Sequence, residues 1–433
     1  MLSARLAITL VTAIGCWNIA QADEQWPNVI LIMADDIGSE CFGCYGSAQY
    51  QTPHIDRMAE RGMRFTHCYA QPLCTPTRVK LMTGLSNVRN YSAFSILPRS
   101  ARTIGQYFRD AGYRTVVAGK WQLLGSEDYP PRFRGKGSLP ADAGFENYCL
   151  WQVERRGERY QAPLLTIDGK DKQFDKKKYG PDVCTDYLVE YIEEHRDEPF
   201  FAYYPMILVH SPFVRTPDSK ARRQGRQRNF EDMVAYMDQL VGRIVQATEQ
   251  QGIADRTLIL FLGDNGTGRG IKSQLDGKTI RGGKGQTTDA GMRVPLVALW
   301  PGKINGGAVN ENLVDMSDFL PSLLEATGQQ PADGLDGVSF YPQLVGEQYT
   351  PREWVHCYYN PRPEKTQPKQ LVRDKRWKLY ADGRFFDVMS DPLEQQPIAD
   401  DEMTDEMTAA KQKLSAALAT FPSAGQSLLE FED

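Results

Sequence analysis

The sequence predicts an α/β fold: a large, mostly parallel sheet flanked by helices, with a small C-terminal antiparallel sheet plus one helix. Continuous apolar runs such as 28–36 and 257–266 are typical of parallel strands buried on both faces. These runs alternate with segments of helical periodicity, which predicts helices on both faces of the sheet. After about residue 345 the pattern changes to short strand-like pieces followed by an amphipathic helix.

The elements follow in order along the chain. In the first helix Thr52 is the expected N-cap, Pro53 lies in the first turn and Gly62 ends the helix. A later helix carries apolar residues at helical spacing, among them Met233 and Met237. Strands are predicted at 28–36, 114–120, 199–212, 257–266 and 294–302, helices at 52–62, 103–112 and 229–252, and the C-terminal strands and helix within 353–391 and near 402–420.

The chain divides into three predicted parts: a signal peptide over 1–22, a catalytic α/β domain over 23–345 and a small C-terminal α+β subdomain over 346–433. The first part begins with Arg5, continues as an apolar run and ends in a small-x-small pattern at Ala20 to Ala22. A lipoprotein cleavage box before Cys16 is the weaker alternative, because the expected large aliphatic residue is missing. The apolar run is too short for a membrane span, so we expect a periplasmic or secreted protein.

Net charge and cysteine content limit the classes of function that this chain can have. The formal net charge of the 433 residues is -5, which argues against nucleic-acid binding. Seven cysteines remain after the signal, an odd number, so an exported protein holds at least one unpaired or modified cysteine. Cys41 and Cys44 form a CxxC without a second pair, which favours ordinary loop or core cysteines over a zinc or redox site.

Four strand ends carry chemically active side chains. In open α/β sheets, sites form at the carboxyl ends of strands. Three carboxylates and one amide are hard oxygen ligands that suit Ca²⁺ or Mg²⁺ rather than zinc. A histidine there acts as acid or base near neutral pH. These residues are Asp35 and Asp36 after the first strand, Lys120 after another, His210 after a third, and Asp264 and Asn265 after a fourth.

The stretch "CTPTR" at 74–78 matches the C-x-P-x-R signature of the sulfatase family, and the chain resembles that family over nearly all its length after the signal. "LMTG" follows the signature as the family's L-T-G does. The remaining family blocks occur in the family's order: "PNVILIMADDIG", "TPHIDRMAERGMRFTHCYA", "AGKWQLLG", "HSP", "GDNG", "RGGKG…AGMRVPLV" and "FFDVMSDPLE".

The resemblance implies a modified nucleophile and a metal site. A dedicated maturation enzyme would oxidise Cys74 to Cα-formylglycine, whose hydrate attacks sulfur with one hydroxyl and releases sulfate through the other. By the same resemblance, Asp35, Asp36, Asp264 and Asn265 bind Ca²⁺ or Mg²⁺ together with the modified Cys74. Arg78 steadies the nucleophile or the ligand network, Lys120 and Lys284 hold sulfate oxygens, and His210 protonates the leaving oxygen.

One position departs from the family pattern. The family usually has G-K-W-H, with the histidine on the formylglycine diol, whereas this chain has "GKWQ" and places Gln122 there. A glutamine donates or accepts hydrogen bonds but takes up no proton. We interpret Gln122 as a variant within an active enzyme, because every other site residue is kept.

The expected reaction is hydrolysis of sulfate esters, on sulfated carbohydrates or aryl sulfates. The basic stretch 215–229 could draw in an anionic chain, although a solvated loop explains it as well. Two alternatives stay open. One is a phosphoester or phosphonate hydrolase of the same superfamily, whose members usually have Thr or Ser in place of the cysteine. The other is a non-catalytic, glycan-binding relative.

Overall fold

The fold is built from sixteen strands and ten helices within the part of the chain that the computed structural model describes, residues 26–221, 225–330, 332–363 and 365–422. The predicted signal peptide lies outside these residues. The strands are β1 (Asn28–Ala34), β2 (Met63–Tyr69), β3 (Arg114–Lys120), β4 (Asn147–Trp151), β5 (Leu164–Ile167), β6 (Lys170–Gln173), β7 (Phe200–Pro205), β8 (Thr257–Gly263), β9 (Lys272–Leu275), β10 (Lys278–Arg281), β11 (Arg293–Leu299), β12 (Ala308–Asp315), β13 (Val355–Tyr359), β14 (Lys369–Arg373), β15 (Trp377–Tyr380) and β16 (Phe385–Asp387).

The helices alternate with the strands over most of the chain. Short 3₁₀ turns also occur and are left unlabelled. The helices are α1 (Pro53–Arg61), α2 (Cys74–Thr83), α3 (Asn87–Asn90), α4 (Ile104–Asp110), α5 (Gly180–Glu194), α6 (Arg226–Gln250), α7 (Asp289–Met292), α8 (Phe319–Ala326), α9 (Tyr341–Val345) and α10 (Asp405–Ala419).

Ten strands form one sheet in the order β12-β2-β11-β8-β1-β7-β3-β4-β5-β6. The five central strands, from β8 to β4, pair in parallel. β11 runs antiparallel to both of its neighbours, and β5 and β6 add an antiparallel edge. The prediction of a large, mostly parallel sheet is therefore confirmed.

The core lies on both faces of this sheet. Alternate residues of β1 enter different clusters: Ile30 and Ile32 pack with α1, α5 and α6, whereas Val29 and Leu31 pack with α2, α4 and α8. A strand covered on both sides needs apolar residues at every position. This explains why β1 and β8 are continuous apolar runs in the sequence.

The predicted strand 199–212 is wrong in its second half. β7 ends at Pro205, and the buried residues after it cross the end of β1 as an irregular segment. Asp35 N–H donates to the Leu208 carbonyl at 2.9 Å, and Val209 N–H donates to the Asp35 carbonyl at 2.8 Å. An apolar run predicts burial, and it does not separate a strand from a buried crossing segment. The crossing carries His210 over the end of β1.

The C-terminal strands form the expected small antiparallel sheet, in the order β13-β14-β15-β16. One face packs against α10 through residues such as Val372 and Leu414. The other face packs against the large sheet, with Cys357 and Leu371 in the same cluster as Leu313. The fold prediction is confirmed for this part also. The domain boundary after residue 345 stays a prediction.

Two further expectations concern membranes and cysteines. Among the helices that the structure describes, none combines the length and apolarity that crossing a bilayer requires. The seven cysteines of the described residues are free thiols, and all are buried except the half-buried Cys44.

Candidate active site

The strand ends that carry the predicted site residues are neighbours in the sheet. β8, β1, β7 and β3 lie side by side and run parallel, so their carboxyl ends meet at one edge. The chain order of these strands is different, and only the folded topology brings their ends together. The structure thereby gathers the acidic residues, the lysine and the histidine into one place.

The carboxylates form a buried cluster with Cys74. Asp36 N–H donates to Asp264 Oδ1 at 2.9 Å, and Asn265 Nδ2 donates to Asp36 Oδ1 at 3.0 Å. One ligand atom from each of Asp35, Cys74 and Asp264 lies within 4.8 Å of the others, and Asp35, Asp36 and His210 form a second such group. All the acidic residues and Asn265 are buried.

Cys74 is the first residue of α2, where backbone N–H groups have no partner within the helix. Pro76 is the third residue and therefore costs the helix no hydrogen bond. Thr77 closes the turn, since its hydroxyl accepts from Gln71 N–H at 2.9 Å. Burial raises the pKa of the Cys74 thiol, with Lys120 acting in the opposite direction. An unmodified thiol here is therefore protonated near neutral pH and is a weak nucleophile.

Two lysines from different segments of the chain reach the carboxylates. Lys120 Nζ lies 2.7 Å from Asp35 Oδ2, and Lys284 Nζ lies 2.6 Å from Asp36 Oδ2. Burial alone would raise the pKa of Asp35, but Lys120 and the other nearby cations outweigh it, so the pKa is lowered. Among the described residues, no lysine or arginine forms an ion pair with Asp264. Its pKa is raised well above the ordinary value by burial and by the charges of Asp35 and Asp36.

These residues fit a hard divalent cation. Asp35 Oδ1 and Asn265 Oδ1 are buried and make no hydrogen bond to any described residue. Buried polar oxygens normally have a partner, and carboxylate and amide oxygens are the ligands that Ca²⁺ and Mg²⁺ prefer. The raised pKa of Asp264 also indicates a cation site. Three carboxylates and two lysines leave one negative charge unbalanced, and a divalent cation would balance it.

His210 is held as a neutral imidazole. Its Nδ1 lies 2.6 Å from the Ser211 carbonyl, so Nδ1 carries the proton and donates it there. Its Nε2 then faces Asp36 Oδ2 at 3.7 Å. Burial lowers the pKa of His210, although Asp36 and Asp35 act against this. The Tyr160 hydroxyl donates to the His210 carbonyl and Arg159 Nη2 donates to the Ser211 carbonyl at 2.7 Å, which fixes the segment.

Arg78 contacts main-chain atoms rather than the nucleophile or the carboxylates. Nη2 donates to the Lys120 carbonyl at 2.8 Å, Nη1 donates to the Trp121 carbonyl, and Nε donates to the Tyr203 hydroxyl at 3.4 Å. No carboxylate within the described part of the chain pairs with this buried guanidinium. Arg78 therefore acts on the site through the backbone at the end of β3.

Gln122 lies just beyond β3, half-buried and with a φ of 50°. Its Nε2 donates to the hydroxyl of Tyr129 at 3.0 Å. Sequence reasoning missed Tyr129, and it also missed Ser95, whose N–H donates to Thr75 Oγ1 at 3.2 Å beside the nucleophile. No pattern of spacing points to either residue, because only folding brings them to Cys74.

The comparisons with known proteins agree with this geometry. A family model for sulfatases matches residues 27–329, and a model described as N-sulphoglucosamine sulphohydrolase, C-terminal, matches 284–420. The match over residues 27–329 thus assigns the class of protein, a hydrolase of sulfate esters. The chain belongs to the sulfatase family.

Two curated relatives are enzymes of this class. Arylsulfatase A of Homo sapiens is 31% identical over 82% of this chain and 74% of its own length. N-acetylgalactosamine-6-sulfatase of Canis lupus familiaris is 29% identical over 77% of this chain and 69% of its own length. The chain is therefore a sulfuric ester hydrolase by its family.

Solved structures share the fold at lower identity. BT4656, solved with its substrate D-glucosamine-2-N,6-O-disulfate, has a TM-score of 0.76 at 19% identity, over 92% of this chain and 98% of that chain. The phosphonate monoester hydrolase of Agrobacterium radiobacter has a TM-score of 0.70 at 21% identity, over 91% of this chain and 95% of that chain. The fold is thus shared by these proteins, and the fold alone does not assign the reaction.

Proposed function

We propose that this protein hydrolyses sulfate esters of carbohydrates, with a formylglycine made from Cys74 and a bound Ca²⁺ or Mg²⁺ ion. One observation carries the proposal: ligand atoms of Cys74, Asp35 and Asp264 lie within 4.8 Å of one another at the start of a helix. A helix N-terminus favours anions. Lys120 on Asp35 and Lys284 on Asp36 add the positive charge that a sulfate group requires.

Asp35, Asp36, Asp264 and Asn265 would hold the cation, together with position 74. When bound, a divalent cation lowers the pKa of a nearby hydroxyl group and offsets the charge of the sulfate. The unpartnered oxygens of Asp35 and Asn265 support this assignment.

The nucleophile would be the hydrated aldehyde at position 74, which attacks sulfur with one hydroxyl and releases sulfate through the other. The protonated state of the buried Cys74 thiol supports conversion over direct attack by sulfur. Cys74 is 2% exposed, so a maturation enzyme would have to reach it before the chain folds.

The other site residues would bind the sulfate and transfer the proton. Lys120 and Lys284 would hold the sulfate oxygens, since both are cations fixed beside the carboxylate cluster. His210 rests with its proton on Nδ1, which donates to the Ser211 carbonyl, so Nε2 would first take up a proton from water. The resulting imidazolium would then give the Nε2 proton to the leaving oxygen. Arg78 and Gln122 would position this set of groups.

The substrate and location are inferred more indirectly. The similarity to N-acetylgalactosamine-6-sulfatase supports a sulfated sugar, and aryl sulfates are expected to react because their leaving groups are good. The sequence of residues 1–22 supports export to the periplasm or the medium. We propose residues 23–345 as the catalytic domain and 346–433 as its C-terminal subdomain.

The test compares the wild-type protein with Cys74→Ala. We expect the wild-type tryptic peptide that ends at Arg78 to have lost sulfur and two hydrogens and gained one oxygen. The wild type should hydrolyse aryl sulfates and sulfated sugars, and should lose this activity after chelation of divalent cations. Aryl phosphates and phosphonates serve as the control for the alternative chemistry.

The variant should fold, by circular dichroism and urea unfolding, and should have no sulfatase activity. Activity that survives in Cys74→Ala would contradict the mechanism. Preference for the phosphonate over the sulfate in the wild type would contradict the assigned reaction.

A further inference from the structure

Arg269 is an exposed arginine beside the loop that carries Lys284, and no acidic side chain in the described part of the protein pairs with it. Arg269 lies between β8 and β9, and its Nε donates to the carbonyl of Lys284 at 2.8 Å. The Arg269 carbonyl in turn accepts from Arg226 Nη2 at 2.9 Å. The side chain is thus tied at its Nε and the backbone at its carbonyl, so the outer nitrogens of the guanidinium have a defined position.

Those outer nitrogens are available to a ligand. Arg269 is exposed, and no carboxylate of the residues 26–221, 225–330, 332–363 and 365–422 forms an ion pair with it. Arg376, an exposed arginine of the C-terminal sheet, differs in this respect, because it pairs with Asp387 at 2.9 Å. A planar guanidinium with a free edge binds carboxylates and sulfates through two parallel hydrogen bonds.

The hydroxyl of Tyr359, at the end of β13, lies near the outer nitrogens of the Arg269 guanidinium. A methyl group added to Gly285 would lie 3.2 Å from Arg269 Nη2 and 3.6 Å from the Tyr359 oxygen. The gap between guanidinium and phenol is therefore open only because residue 285 is glycine, whose φ of 80° also disfavours a side chain. Gly285 N–H donates to the Pro72 carbonyl at 2.8 Å, two residues before the nucleophile.

The phenol is a hydrogen-bond donor at working pH. Burial, opposed by Arg269 and aided by Cys74, raises the pKa of Tyr359 to about 12. Tyr359 is therefore in electrostatic range of both Arg269 and position 74. The Tyr359 hydroxyl, a hydrogen-bond donor, and the Arg269 guanidinium, a cation, thus lie beside one small opening next to Lys284, for which we propose sulfate binding.

We propose that Arg269 and Tyr359 form an anion subsite, which binds a second negatively charged group of the substrate next to the sulfate that is cleaved. This inference rests on the proposed function and names its substrate class: an oligosaccharide with a carboxylate or a further sulfate on the sugar beside the scissile ester. Lys120 and Lys284 are already paired with Asp35 and Asp36, and the whole chain has a net charge of -5. A second anion is thus attracted by a dedicated cation rather than by the overall field.

The kinetic test uses Arg269→Ala and Tyr359→Phe, with Arg57→Ala as the matched control, since Arg57 is an exposed arginine on α1. The substrates are a small aryl sulfate, a monosulfated disaccharide without other charge, the same disaccharide with a neighbouring carboxylate, and the same disaccharide with a second sulfate. We expect Arg269→Ala to lower kcat/KM for one or both of the doubly charged substrates, relative to the singly charged ones, by about 10-fold, chiefly through KM. The control should leave this ratio as in the wild type.

The two doubly charged substrates show which anion the subsite binds. A larger loss of kcat/KM on the disaccharide with a carboxylate identifies a carboxylate, and a larger loss on the one with a second sulfate identifies a sulfate. An equal loss on all four substrates, or an unchanged ratio, would overturn the subsite. Binding to Cys74→Ala, measured by calorimetry with and without Arg269→Ala, gives a second readout independent of turnover. If no sulfate ester is hydrolysed by the wild type, the proposed function fails; a charge-dependent loss of affinity would still establish the subsite, and its absence would refute it.

Discussion

At the level of single residues, Gln122 is the side chain that most distinguishes this site from the pattern of its family. Its carboxamide takes up no proton near neutral pH, but it is tied to a second group, because Nε2 bonds the Tyr129 hydroxyl at 3.0 Å. Burial raises the pKa of Tyr129, the Ser95 hydroxyl lowers it and Cys74 raises it. Tyr129 is therefore close enough to Cys74 to feel its charge and stays protonated, so we expect the pair to position groups at the nucleophile without acting as a base.

We expect Gln122 and Tyr129 to act as one unit. Gln122→Ala and Tyr129→Phe should each lower kcat by up to roughly 10-fold, the value of one lost neutral hydrogen bond, because each removes the bond that holds the other side chain beside position 74. The double variant should lose no more than the larger single loss, because either change breaks the same contact. Steady-state kinetics with an aryl sulfate measures this. Losses that multiply would mean that the two residues act independently.

At the level of elements, Arg78 joins α2 to β3. The guanidinium is 1% exposed and donates to the carbonyls of Lys120 and Trp121. α2 carries Cys74 and β3 carries Lys120, so this contact fixes the nucleophile relative to a sulfate-binding lysine. A buried arginine satisfied by backbone carbonyls does this without placing another carboxylate in an already acidic site.

Replacing Arg78 by lysine tests this contact between α2 and β3. A lysine ammonium lacks the planar set of N–H donors with which a guanidinium bonds two carbonyls at once. Arg78→Lys should therefore leave a buried acceptor unsatisfied and lower the free energy of unfolding by about 1–3 kcal/mol. It should also lower kcat. Arg109→Lys, on the exposed surface of α4 beside Asp110, is the control and should change stability by less than about 0.5 kcal/mol. Urea unfolding that gives the two variants equal stability would contradict this role.

The same elements show what the sequence could and could not predict. β1 and β8 are predictable because burial on both faces requires apolar residues at every position. β12 is not, because its exposed residues interrupt any apolar run. The residues that follow parallel strands were predictable as one site, since those strand ends share an edge. Cys74 and Lys284 required the family resemblance, because neither follows a strand of the parallel sheet: Cys74 begins α2, and Lys284 lies in the loop between β10 and α7.

Tyr129, Arg269 and Tyr359 could not be predicted at all. Tyr129 lies beside Gln122, Arg269 beside Lys284 and Tyr359 beside Gly285, and none of the three stands in a pattern with its neighbours in the sequence. Tyr359 comes from the C-terminal sheet, which the sequence indicates only as a separate unit. The position of that sheet relative to the active-site loop is a property of the packed core.

At the level of the whole molecule, the C-terminal sheet is joined to the helix that carries the nucleophile. Lys80 of α2 lies 2.7 Å from Asp315 Oδ1 and donates to the His356 carbonyl of β13 at 2.6 Å. The His356 ring stacks on Phe421 at 3.7 Å, and its Nδ1 lies 2.7 Å from Ser86 Oγ. The imidazole is thus buried between the two parts of the protein.

His356 should make this junction sensitive to acid. Burial, together with Lys80 and Arg352, lowers the pKa of His356 well below its ordinary value of 6.5. Below about pH 6.5 the unfolded chain binds a proton that the folded protein does not, so the free energy of unfolding falls as the pH falls. One such group contributes a slope of at most about 1.4 kcal/mol per pH unit, and it contributes no pH dependence above this range.

We expect His356→Gln to flatten this acid dependence. The variant loses packing at every pH, so the informative quantity is the change in unfolding free energy between pH 7.5 and pH 5, measured in urea, rather than stability at one pH. Wild type should lose more stability over this interval than His356→Gln. His195→Gln, at the partly exposed end of α5, is the control and should keep the wild-type dependence. If His356→Gln follows the wild-type curve in parallel, the acid sensitivity arises elsewhere and the junction between the two sheets is not its source.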